Sequence, residues 1–173
     1  MDKKPVNLRN ILDTAIVFLL IAIFAWHFVL AHPLEDVMPE LKSDEIVKCE
    51  IWYHERETIP PLTVIHTEYA FEFDTQSEEF REFIELLNSK NYRKQLGNLI
   101  NTHSRSIKLN PYAQIYLTDK SGLTYEIGLY GQDVVVGTSR NTTDYSPRGG
   151  TDFQQSVVDF IFENGSLVNK EVR

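Results

Sequence analysis

The apolar pattern is densest near the start of the chain, where only His27 interrupts Ala, Ile, Val, Phe, Leu and Trp between Ala15 and Ala31. No Asp, Glu, Lys or Arg occurs between Thr14 and Leu34. A helix over this run is apolar on every side, which lipid tolerates and water does not. At ~1.5 Å per residue, residues 11–31 cover the ~30 Å of a bilayer core, so the pattern predicts a transmembrane helix there, after a short N-terminal segment over residues 1–10. Val29-Leu30-Ala31 also offers a signal-peptidase site. A secreted product cleaved after Ala31 is the competing reading, but the run exceeds the ~7–15 residues of a signal-peptide core and favours a retained anchor. No cysteine precedes Cys49, so an acylated lipoprotein start is missing.

Beyond the apolar run the periodicity changes. Residues 32–44 carry two prolines and mixed charges without a sustained period and read as a tether. From Glu45 to His54, Val47, Cys49, Ile51 and Tyr53 alternate with Ile46, Lys48, Glu50 and Trp52, the period of a half-buried strand. Pro60-Pro61 interrupts, and Leu62 to Phe73 reads as extended chain rich in β-branched and aromatic residues. Phe80, Phe83, Ile84 and Leu87 then stand at helical spacing, with Thr75 and Glu78 as a capping box. Residues 89–111 read mostly as loop. Tyr112 to Thr118, Leu123 to Tyr130 and Asp133 to Gly137 form a predicted three-stranded meander. After a loop, a helix is predicted from Thr151, with Gln154 at its capping-box position, Phe153, Val157, Phe160 and Ile161 on its core stripe, and Asn164-Gly165 as its stop.

These elements predict an α+β fold: an N-terminal transmembrane helix followed by an antiparallel β-sheet with two helices packed on one face. The folded part is expected over residues 45–165, with 166–173 as a tail and the other sheet face solvated or bound.

Composition narrows the function more than the fold. The 173 residues carry 17 Lys and Arg against 25 Asp and Glu, a net charge of −8, which argues against nucleic-acid binding through the overall field. Lys3, Lys4 and Arg9 precede the apolar run and Glu35, Asp36 and Glu40 follow it, so a crossing helix would leave the short basic flank in the cytoplasm and the domain outside. One cysteine forms neither an internal disulfide nor a cysteine-built zinc site. Cys49 falls on an apolar strand face, where a buried inert thiol is favoured over a nucleophile paired with His54, His66 or His103. The chain has no phosphate-binding Gly loop, no helical His-Glu-x-x-His and no nucleophile elbow. Neither catalysis nor a cofactor nor a metal is expected.

Charge is segregated along the chain. Between Glu68 and Glu85 the only basic residue is Arg81, whereas between Leu86 and Thr118 Lys90, Arg93, Lys94, Arg105 and Lys108 occur with no acidic residue. This basic stretch is a candidate surface for anionic lipid, wall polymer or an acidic partner, set against simple neutralisation of the acidic helix before it. Tyr116 and Tyr130, with Trp52, form a second candidate partner-binding set on the half-polar sheet face.

The order of elements also suggests a resemblance. The apolar start, the Ile-Val-Lys-Cys-Glu-Ile-Trp-Tyr strand, the Phe-Asp-Thr-Gln-Ser-Glu-Glu-Phe helix start and the Ile-Tyr-Leu-Thr-Asp-Lys-Ser-Gly-Leu-Thr-Tyr-Glu-Ile hairpin resemble small exported modules of Gram-positive bacteria. The likeness covers roughly residues 45–162, implies a fold and carries no functional residue. Small, acidic and tethered, the chain is similar in organisation to anchored immunity proteins, which implies an exported toxin as partner. The expectation is thus a membrane-anchored, extracytoplasmic protein-binding module without catalytic activity. The alternatives are an exported wall-modifying hydrolase and a sensor of anionic lipid or wall polymer.

Overall fold

In the computed structural model, which describes residues 8–61, 63–95, 112–131, 133–138, 141–147 and 150–173, the elements follow the order α1 (Leu8–Phe24), a π-helical turn (Ala25–Val29), β1 (His32–Pro33), α2 (Leu34–Val37), a 3-10 turn (Ser43–Glu45), β2 (Ile46–Ile59), β3 (Thr63–Phe73), α3 (Glu78–Asn88), β4 (Asn91–Lys94), β5 (Tyr112–Asp119), β6 (Thr124–Tyr130), β7 (Asp133–Thr138), β8 (Asn141–Pro147), α4 (Gly150–Asn164) and β9 (Ser166–Val172). All nine strands join one antiparallel sheet in the order β1-β4-β8-β7-β6-β5-β2-β3-β9.

The expected fold class is corrected in two respects. The sheet is much larger than a first strand pair plus a meander: β1, β4, β8 and β9 come from stretches read as tether, loop and tail. No helix among the described residues is long and apolar enough to cross a membrane, so the transmembrane helix expected over 11–31 is not formed. The reason is local. Among the described residues the regular α-helix covers 17 residues, about 25 Å against the ~30 Å of a hydrocarbon core, and it gives way after Phe24. The chain then winds more widely, with the Leu30 amide donating to the Ala25 carbonyl at 2.9 Å, and Leu30 turns extended. His32 folds back on this turn, its Nε2 2.9 Å from the Trp26 carbonyl oxygen and its ring 4.6 Å from the indole.

Residues 32–44 are not a tether. Leu34 and Met38 are buried in the main core, and the Tyr125 hydroxyl donates to the Glu40 carbonyl at 2.9 Å. Residues 166–173 are not a free tail either, because β9 pairs with β3 along Thr67 to Glu72.

One face of the sheet carries the core. In register across the strands, Phe73, Cys49, Leu117 and Tyr125 form one row, and Phe71, Ile51, Ile115, Ile127 and Val136 the next. Helix α3 buries Phe80, Phe83, Ile84 and Leu87 against this face, each worth about 1.5–3 kcal/mol. Helix α4 adds Phe153, Val157 and Ile161. The rings of Phe73, Phe83 and Phe160 stack at 4.9–6.2 Å where the two helices meet.

Several local expectations change. Ser77, not Thr75, caps α3, accepting the Phe80 amide at 3.1 Å. Gln154 is buried, and its Nε2 donates to the Asp133 carbonyl at 3.0 Å. A bulge between Ile46 and Lys48 reverses the start of β2, so Ile46 is buried and Val47 exposed.

Candidate functional surfaces

The apolar N-terminal segment is the most exposed hydrophobic feature among the described residues. Ile16, Val17, Phe18, Leu19, Leu20 and Ile21 are consecutive and all between 48% and 68% exposed. At about 100° per residue, six neighbours sweep the whole helix circumference, so no single side of α1 rests on the domain. Leu12, Ile23, Phe24, Trp26, Val29 and Leu30 are exposed as well. Left in water, eight or more large apolar side chains forgo on the order of 10 kcal/mol.

This segment joins the domain at the β1 and β4 edge. His32 pairs with Tyr92 and Pro33 with Asn91. Tyr92 fixes β4 in turn: its ring is buried, and its hydroxyl donates to the Leu87 carbonyl at 2.6 Å, satisfying one of the acceptors left open at the end of α3. Burial pushes the Tyr92 hydroxyl well above the usual phenol range.

The structure gathers part of the predicted basic stretch at this junction. Arg93 is exposed on β4, Lys94 and Lys90 are half-buried beside it, and Lys94 Nζ lies 5.9 Å from the Phe28 ring centroid. Among the described residues none of these three cations pairs with a carboxylate, whereas Arg81 pairs with Glu78 on α3 itself. Lys42, Lys48 and Arg173, by contrast, each hold a glutamate. Arg105 and Lys108 lie outside the described residues, as does His103.

The tyrosines occupy the sheet face opposite the core. Tyr116 and Tyr130 are both half-buried, as is Trp52. Tyr130 lies across Gly128, where a Cβ would run into its ring, and its hydroxyl receives the Gln114 amide at 3.2 Å. Tyr116 sits between Glu50 and Glu126 in register, and Glu50 faces Glu72 on the other side. One row therefore reads Glu72, Glu50, Tyr116, Glu126, relieved by the 2.9 Å contact of Lys48 with Glu50. Like charges across adjacent strands oppose folding, which sets this row apart from an ordinary solvated face.

Arg93 shares the open face with Tyr130 through a bridge that periodicity does not reveal. Arg93 pairs with Ser146 and Tyr130 with Asp133, and Gln95 Nε2 joins Ser146 Oγ at 3.1 Å to Asp133 Oδ1 at 2.5 Å. Tyr130 is three strands from β4, roughly 14 Å at the usual strand spacing. Arg93 and the tyrosines thus lie on adjacent parts of the open sheet face.

Two further titratable groups matter for chemistry. Cys49 is buried, and desolvation pushes its thiol up to about 12, as expected for an inert side chain. His54, on the open face, lies 3.3 Å from Glu68, and partial burial lowers its pKa despite the opposing pull of that carboxylate. Among the described residues no group of three or more His, Cys, Asp or Glu side chains could hold a metal ion.

The chain matches no family model, no curated protein and no solved structure.

Proposed function

We propose that this protein is a membrane-held binding module: the apolar N-terminal segment lies in lipid, and the open sheet face receives another protein. The observation that carries the reading is the exposure of Ile16 to Ile21 around the full circumference of α1, on a segment fastened to the sheet by β1. A protein partner covers one side of such a helix, whereas hydrocarbon covers all sides. The N-terminal segment is embedded rather than crossing, so the orientation drawn from Lys3, Lys4 and Arg9 has no part in the proposal.

For the protein partner, support comes from the row of Glu72, Glu50, Tyr116 and Glu126, in which an aromatic ring is framed by acidic groups. Its complement is a basic surface. No residue speaks for a toxin in particular, and the reading stops at a binding module.

Flotation of the full-length chain with neutral phosphatidylcholine vesicles tests the lipid half. The chain should rise with the vesicles, and an Ile16→Asp, Leu20→Asp variant should stay in the aqueous layer. A wild-type chain that remains monomeric and lipid-free contradicts the proposal. A photoreactive residue at position 116 tests the other half: one discrete protein adduct is expected in cells, lost with Glu50→Lys, and no adduct contradicts it.

A further inference from the structure

We infer that Lys90, Arg93 and Lys94, on and just before β4 with Arg93 and Lys94 on opposite sheet faces, together contact the headgroups of anionic phospholipid at the base of the apolar segment. The inference rests on the proposal that α1 lies in lipid and adds to it the class of lipid preferred. Pairing of His32 and Pro33 with β4 places the basic strand where the apolar segment ends. Within that end, the Trp26 and His32 rings lie 4.6 Å apart with their planes tilted, and an indole beside a polar ring suits the boundary between hydrocarbon and headgroups. Lys94 Nζ lies over the Phe28 ring, 5.9 Å from its centroid, which holds this cation against the last turn of the apolar segment.

Charge at the junction favours an anion. Among the described residues the three cations hold no carboxylate, although four other basic side chains of the domain do. Helix α2, packed beside β4, carries Glu35 and Asp36 in its first turn, and Asp36 is directed to His32 Nδ1 at 3.8 Å. An anionic headgroup would meet unspent cations, while a zwitterionic one would meet no matching demand. Each Lys or Arg held near an anionic surface strengthens binding by about fivefold at ordinary ionic strength.

The test dilutes full-length protein from neutral detergent into an equal mixture of two separable vesicle populations, one of phosphatidylcholine and one containing about a third phosphatidylglycerol. The wild-type chain should favour the anionic population by roughly fivefold or more, and the preference should shrink at high salt. Arg93→Gln, at an exposed position, should reduce it, and the Lys90→Gln, Arg93→Gln, Lys94→Gln triple variant should abolish it. Lys94→Arg should retain it. Equal distribution of wild type and triple variant between the populations overturns the headgroup site while leaving the embedded helix intact. Failure to enter either population overturns both.

Discussion

Cys49 shows how far one buried side chain is set by its surroundings. It sits in a row between Phe73 and Leu117, and burial pushes its thiol up to about 12, so the folded protein carries very little thiolate at pH 8. The native protein should therefore resist thiol reagents at pH 8 and react at the ordinary rate once unfolded; rapid labelling of folded protein would contradict this burial. His54 gives a pH dependence of defined sign. Its folded pKa lies below the unfolded value near 6.5, so the folded state prefers the neutral ring. Stability is fully present above pH ~6.5 and declines as pH falls through that value toward the lower folded pKa, and His54→Phe should flatten this part of a urea-denaturation profile. Tyr92→Phe keeps the ring but leaves the Leu87 carbonyl without its 2.6 Å donor, and should cost about 1–2 kcal/mol in the same assay.

At the scale of elements, what is legible in the sequence depends on how much of an element's environment is local. Helix α3 is legible because its four core residues repeat at helical spacing and its first turn carries Glu78 and Glu79. Cys49, Ile51 and Tyr53 are legible by alternation, but the bulge that exposes Val47 is set by pairing with β5, over seventy residues away. Strands β1 and β4 are too short for any period to register, and both exist because each pairs with the other and β4 with β8. Strand β9 hides for a different reason: every residue in it is exposed, so no apolar alternation marks it. The turn into β9 is tight, since a Cβ on Gly165 would come within 2.6 Å of the Ile161 carbonyl oxygen. Gly165→Ala should therefore destabilise the domain by about 1–3 kcal/mol, read as a lower urea midpoint. Among the candidate site residues, spacing identifies Lys90, Arg93 and Lys94 as a charge cluster, but only the pairing of β4 with β1 shows that they adjoin the apolar segment.

For the whole molecule, the sheet separates two kinds of surface that the linear sequence runs together. The helix-covered face holds the core, while the open face holds Trp52, Tyr116 and Tyr130 with an acidic row near β2 and Arg93 at the far side. Glu72 faces Glu50 across that row, so Glu72→Gln should raise stability by a few tenths of a kcal/mol and at the same time weaken capture of a basic partner. Stability given up where charges are concentrated is the pattern expected of a binding face, and equal partner capture by both forms would count against it.

Trp26 reports directly on where the apolar segment lies. The chain has two tryptophans, so Trp52→Phe leaves Trp26 as the sole indole, at the end of that segment. Full-length Trp52→Phe protein mixed with vesicles of brominated phosphatidylcholine should show strong quenching of Trp26, with emission shifted to the blue relative to the lipid-free chain. Emission unchanged in wavelength and unquenched by brominated chains would place Trp26 in water and contradict the embedded segment on which the proposed function rests.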